Sequence, residues 1–262
     1  MELEKEDSFF EDQEKNIYRV KEDCRVETIT ISAYLDELVL CNLPKLRQIN
    51  LEAPVENAII ENCPKLVINR TPANHARISG CDAITWFSVD GEECEISDCK
   101  NLEELDISAF DCDYGMSVTI KDCKKLKKVC CEGREDIDLK ILGCDALREF
   151  CNDGEYFPDA DIEPNNTTIL KTVPCSNFSL NDFGGIKQLY IGDQSIFNIL
   201  DINDDEQFKN MIVDDIEMSV DCSGMEDLEL VKIADGTNLY EANFSGCKNL
   251  RNLYIGSGTH CD

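Results

Sequence analysis

Aromatic side chains are scarce in this 262-residue chain, at 7 % of residues with a single tryptophan, Trp86. A core with so few rings is narrow and is filled by Leu, Ile, Val and Cys. Basic charge is scarce too: 25 Lys and Arg stand against 54 Asp and Glu, a net charge of −29. Such a surface repels nucleic acid and anionic membrane and attracts basic partners. The plainer use of the charge is solubility, since an elongated repeat protein needs a charged exterior. No stretch of about 20 apolar residues exists, so no helical membrane span is expected. The first residues, MELEKEDSFFEDQEKN, have neither a basic segment nor an apolar one, and do not read as a secretory signal.

Several chemistries lack their signals. There are two histidines, His75 and His260, and no Cys-x-x-Cys pair, so a tetrahedral zinc site is not indicated. Asp201 to Asp205 faintly resembles a calcium loop, but the glycine and the distal glutamate that such a loop needs are missing. No glycine-rich phosphate loop stands in a suitable context, and no Ser–His–Asp set can be argued from spacing. The sequence therefore gives no catalytic residue, no cofactor and no metal ligand, and the expectation is a non-enzymatic protein.

What is abundant is cysteine, 16 residues, and repetition. The phrase ANFSGCKNLRNLYI, residues 242–255, reads apolar-x-apolar-x-turn-Cys-x-x-Leu-x-x-Leu-x-Ile. It recurs from about residue 38. The slot held by its cysteine is Leu43, Cys63, Cys81, Cys99, Cys123, Cys144, Phe183, Met225 and Cys247 in turn. Three residues later stands Leu46, Leu66, Ile84, Leu102, Leu126, Leu147, Ile186, Leu228 or Leu250. Six later comes another apolar residue, with Asn69 the exception. Just before the slot stand Asn42, Asn62, Gly80, Asp98, Asp122, Gly143, Asp182, Gly224 and Gly246, all types that tolerate positive φ. Each coil is thus a short strand, a sharp corner and a second extended piece. Stacking of such units gives a solenoid.

The expected fold class is a β-rich solenoid, a right-handed superhelix with parallel strands and few or short helices. Residues 1–16 read as an acidic flexible tail, 17–37 as an N-terminal cap and 38–262 as the solenoid. Two double-length gaps are expected to hide degenerate coils, about 153–177 and 192–217. Ala160, Ile162, Asn165 and Val173 fit the first; the second carries DDEQFKNM as an inserted helical turn. The cysteines are expected to serve as small buried hydrophobes in a reducing, cytoplasmic setting. Cys130 and Cys131, adjacent on a strand, face opposite ways, so one of them is expected to be exposed.

AIIENCPKLVI, CEISDCKNLEELDI and ANFSGCKNLRNLYI resemble cysteine-containing leucine-rich repeats, and the Cys-x-x-Leu-x-x-Leu-x-Ile half is most similar to the BspA-like kind. The resemblance covers about residues 38–255. It departs from that family in lacking the proline after the second strand and in its irregular coil lengths. It implies a parallel-stranded solenoid used as a protein-binding surface.

Outward positions alternate with inward ones. On the first strands they are Val39, Ile59, Arg77, Glu95, Thr119, Lys140, Ser179, Asp221 and Asn243. On the second they are Asn50, Arg70, Ser88, Asp106, Cys130, Cys151, Tyr190, Lys232 and Tyr254. Candidate partner-binding residues are Arg70, Arg77, Trp86, Tyr190, Lys232 and Tyr254, the aromatics because such side chains anchor interfaces. The bland reading of the same residues is that they cover the sheet singly. The expected function is a monomeric scaffold that binds a basic protein, an inhibitor or immunity protein for instance. The alternative is an effector or adhesin exported without a standard signal.

Overall fold

The computed structural model describes residues 8–10, 16–20, 22, 25–110, 115–176, 178, 180, 183, 185–192, 218–256 and 260–261. Parallel strands stack as a β-solenoid of about 10 turns, with no helix among the described residues. Most coils supply one strand to each of two walls. The first wall is a nine-stranded sheet of β1 (Ser8–Phe10), β2 (Ile17–Val20), β4 (Leu35–Cys41), β6 (Val55–Glu61), β7 (His75–Ser79), β9 (Glu93–Ser97), β11 (Met116–Lys121), β13 (Ile137–Leu142) and β15 (Asp159–Glu163). The second wall begins with the pair β3 (Thr28–Ile31) and β5 (Gln48–Leu51). After an interruption it continues as eight strands: β8 (Trp86–Val89), β10 (Glu104–Ala109), β12 (Lys128–Gly133), β14 (Glu149–Gly154), β16 (Ile169–Thr172), β17 (Gln188–Ile191), β19 (Leu230–Ile233) and β21 (Asn252–Ile255). A three-stranded sheet, β18 (Met218–Asp221), β20 (Asn238–Asn243) and β22 (His260–Cys261), completes the first-wall side near the C-terminus.

The repeat columns set this geometry. Cys63, Cys81, Cys99, Cys123 and Cys144 are buried at the corner between the walls, above Leu66, Ile84, Leu102, Leu126 and Leu147. Each buried Leu or Ile contributes about 1.5–3 kcal/mol relative to exposure. The chain can turn so sharply because Asn42, Asn62, Asp98 and Asp122 take φ of 53–56°, and Gly80, Gly143, Gly224 and Gly246 take 60–78°. The corner side chains also touch: Asn62 Nδ2 donates to Asn42 Oδ1 at 3.1 Å. At Gly80 an added Cβ would lie 2.7 Å from Asn62 Oδ1, so glycine there answers both the dihedral and the space.

At the N-terminus the stretch expected as a cap, 17–37, carries in β2 and β3 the two strands of an ordinary coil, and β2 pairs in parallel with β4. The edge is taken instead by β1, inside the expected acidic tail. It pairs antiparallel with β2, matching Phe9 to Arg19 and Phe10 to Tyr18. The first gap does contain a coil. β15 pairs with β13, setting Ala160 on Leu139 and Ile162 on Ile141, and β16 pairs with β14. The turn to its second strand is one residue shorter than in its neighbours, so buried Thr172, not Val173, aligns with Asn152 and Ile191. Pro164, after a cis peptide, stands where other coils have a positive-φ residue. The second expected degenerate coil, 192–217, lies almost wholly outside the described residues; the second wall passes directly from β17 to β19.

Cys130 and Cys131 depart from expectation. They do face opposite ways, but neither is open: Cys130 is 6 % exposed and Cys131 is fully buried. The outward Cys130 lies beside Cys151 on the next rung, and Val173 packs against both. Thirteen cysteines among the described residues are free thiols.

Candidate binding surfaces

On the first wall the outward column is Arg19, Val39, Ile59, Arg77, Glu95, Thr119, Lys140 and Asp161, one residue per rung. Arg77 Nε sits 3.3 Å from Glu95 Oε2, and Lys121 Nζ donates to Glu95 Oε1 at 3.0 Å. That Lys121 bond, chiefly, holds the Glu95 carboxyl below its ordinary range. His75 has the carboxylates of Glu56, Glu92 and Glu93 at 3.6, 3.9 and 3.6 Å. Towards β15 the wall turns acidic: Asp138, Asp159, Asp161 and Glu163 are all exposed, while Ala160 and Ile162 point inward between them.

The second wall carries the other candidates in two separate places. Tyr190, Lys232 and Tyr254 fall on consecutive rungs of β17, β19 and β21. Tyr190 is half-buried and its hydroxyl donates to Gln188 Oε1 at 3.1 Å; Tyr254 is 58 % exposed. Trp86 lies five rungs from Tyr190, roughly 24 Å at the usual strand spacing, so the aromatics do not form one patch. Its indole donates to Asp106 Oδ2 at 2.6 Å. Burial raises the Asp106 carboxyl above its ordinary value, and the Trp86 bond opposes that rise.

Between these places lies a closed group that sequence reasoning only half saw. Lys171, missed because its coil runs one residue short, follows Asp106, Cys130 and Cys151 in the outward column. It donates to Glu149 Oε1 at 2.6 Å, and that carboxylate also accepts from Cys151 Sγ at 3.6 Å. Cys151 is fully buried although it faces outward. Burial likewise pushes up the Glu132 carboxyl, against the bond it accepts from Ser108.

Arg70 belongs to the feature that divides the second wall. In the β6 coil no strand follows the corner; Arg70 forms one isolated bridge with Ser88. The cause is Asn69. An inward amide buried without a partner, unlike Asn152 with its bonds to Gly154, costs about 1–3 kcal/mol. The segment bulges instead: Asn69 is exposed and Ile68 packs against the core, while Arg70 and Thr71 keep the ordinary register against Ser88. Between β5 and residues 67–72 this leaves a cleft of about 940 Å³. Arg47, Gln48, Ile49, Leu51 and Glu52 line one side, and Val67 to Pro72 the other. Leu51, an inward position, is 40 % exposed, while its counterparts Ile31 and Val89 are 5 % and 0 %. Sequence reasoning named Asn69 as an exception and Arg70 as a candidate, but did not connect them to Arg47, Leu51 and Val67.

No family model matches the chain, and neither a curated protein nor a solved structure matches it. Among the described residues no group of three or more His, Cys, Asp or Glu is placed to hold a metal ion.

Proposed function

We propose that the protein is a non-enzymatic scaffold that binds a protein partner with a basic surface, and that its coils are cysteine-containing leucine-rich repeats. The observation that carries the binding reading is the acidic end of the first wall. Asp138, Asp159, Asp161 and Glu163 stand exposed on two adjacent rungs, opposed directly by Lys140, whose amine lies 3.8 Å from Asp138. A rigid strand pair holds these carboxylates in a fixed array, and the net charge of −29 extends their pull. Fields of this kind act mainly on the rate of encounter. Tyr190, Lys232 and Tyr254 form a second array, on the other wall, whose tyrosines can anchor a partner. The free, buried thiols suit a reducing compartment.

The test is affinity capture on the immobilised protein, followed by binding kinetics with the captured partner at several salt concentrations. The reading expects a basic partner whose association slows steeply with salt, and slows about tenfold when Asp159, Asp161 and Glu163 are changed together to Lys. Acidic partners held equally well at all salt concentrations would refute it.

A further inference from the structure

Among the described residues β5 has one strand neighbour, β3. Its Gln48 N–H and the following Glu52 N–H donate towards the first coil, to Glu27 O and Ile31 O at 3.2 and 2.8 Å. In a parallel ladder the backbone groups of successive residues face opposite neighbours. Ile49 and Leu51 therefore aim N–H and C=O at the β6 coil. That coil does not answer them. Val67 N–H donates to Arg47 O at 3.0 Å, and beyond it the segment turns to the other neighbour: Asn69 O accepts from Ser88 N–H at 2.8 Å, and Thr71 N–H donates to Ser88 O at 3.0 Å. The result is a sheet edge inside the solenoid rather than at its end, facing a cleft of about 940 Å³.

The walls of the cleft are chemically specific. Exposed Leu51 and Val67 (40 % and 56 %) stand with half-buried Ile49 and Ile68 as its apolar lining. Arg47 and Arg70 line opposite sides, and among the described residues neither forms an ion pair or a side-chain hydrogen bond. Unpaired guanidinium groups on both sides of a slot are unusual placements in a chain with more than twice as many acids as bases. Glu52 and Asp90 lie farther along, Glu52 accepting from Ser32 Oγ at 2.7 Å.

We infer that this cleft binds an extended peptide segment of a partner protein, which adds a strand to β5 and places an acidic side chain between Arg47 and Arg70. Strand addition draws its affinity from main-chain hydrogen bonds and its specificity from alternate side chains. The backbone of Ile49 and Leu51 supplies the first, and the span of β5 fixes a segment of about four residues. The apolar lining takes Val- or Ile-like side chains, and the arginines supply the fork that a carboxylate accepts. At the opposite end Glu52 and Asp90 favour an uncharged or basic residue. The inference stands apart from the basic-partner reading, which is carried by the acidic rungs of β13 and β15 on the first wall.

A fluorescein-labelled peptide, Glu-Val-Thr-Val-Lys amide, tests it by fluorescence anisotropy on the full chain. Saturable binding is expected, weakened at least about tenfold by N-methylation of alternate backbone amides. R47A and R70A should each weaken it roughly tenfold, and the weakening should vanish for a peptide with Gln in place of Glu. Both arginines are exposed, so circular dichroism of the variants should match the parent. Absence of binding at roughly millimolar peptide, binding indifferent to backbone methylation, or binding indifferent to both arginines would each overturn the inference.

Discussion

The thiol at the corner of most coils does a job that neither alanine nor serine does as well. Cys63, Cys81 and Cys123 each donate weakly to the carbonyl two residues earlier, at 3.5 Å, while filling buried volume. Cys123 to Ser puts a smaller, more polar group in that place, and should lower stability by about 1–3 kcal/mol in urea unfolding. Cys41 to Ser, at a half-buried position, should stay within about 0.5 kcal/mol. The same burial couples stability to alkaline pH. It pushes the thiols of Cys63 and Cys175 up to about 11, and those of Cys94 and Cys222 up to about 12. In the unfolded chain these thiols ionise near pH 8.5–9 while the folded chain keeps its protons. The unfolded state then binds fewer protons, so stability is intact below about pH 8.5 and falls as pH rises towards 11. Each thiol contributes a slope of about 1.4 kcal/mol per pH unit in that window. A urea midpoint unchanged between pH 8.5 and 10.5 would contradict this. The corner was legible in sequence because two columns, one apolar and one tolerant of positive φ, mark it independently. The burial of Cys130 and Cys151 was not, since alternation assigns a side to a residue but not what its neighbours on that side cover.

At the scale of the strand, one polar residue decides where the second wall divides. Asn69 could be read as an exception in its column; its consequence could not, because it falls on the neighbours. Ile49 and Leu51 keep their pattern, yet Ile49 is half-buried and Leu51 exposed through a change made about 20 residues away. Asn69 to Val restores the column, and should bring residues 67–71 back against β5, narrow the cleft and raise stability by about 1 kcal/mol or more. Hydrogen exchange reads it directly. The Ile49 and Leu51 amides should exchange far faster than those of Val129 and Leu105 in the parent, and slow in the variant. Equal protection in the parent would mean the β5 edge is closed. The coil of β15 and β16 makes the complementary point. Its strands were legible, yet the loss of one residue at its corner moved the inward position from Val173 to Thr172, a shift that no periodicity reveals without a fixed corner.

For the molecule as a whole, charge and ends matter most. With a net charge of −29 spread along a solenoid, self-repulsion opposes the stack. Salt shortens the reach of that repulsion to about 3 Å at 1 M. The thermal midpoint should therefore rise with sodium chloride, and the rise should shrink when acids of the first wall are neutralised. The two ends differ. The N-terminal coil is covered on its first wall by antiparallel β1, whereas β21 leaves Leu253, Tyr254 and Ile255 exposed at 44 %, 58 % and 59 %. Leu253 and Ile255 occupy columns that are buried in every preceding β8–β19 rung, such as Val231 and Ile233.

One rung per coil also defines a mechanical element. A pull on the two ends along the stacking axis loads the ladder one coil at a time, each held to the rest by its two flanking rows of bonds. Coils then peel in sequence rather than shear together. Each released coil of about 20 residues adds roughly 65–70 Å of contour length. The divided second wall beside β5 leaves mainly the first-wall row bonded, which makes that seam an early place for the spring to give.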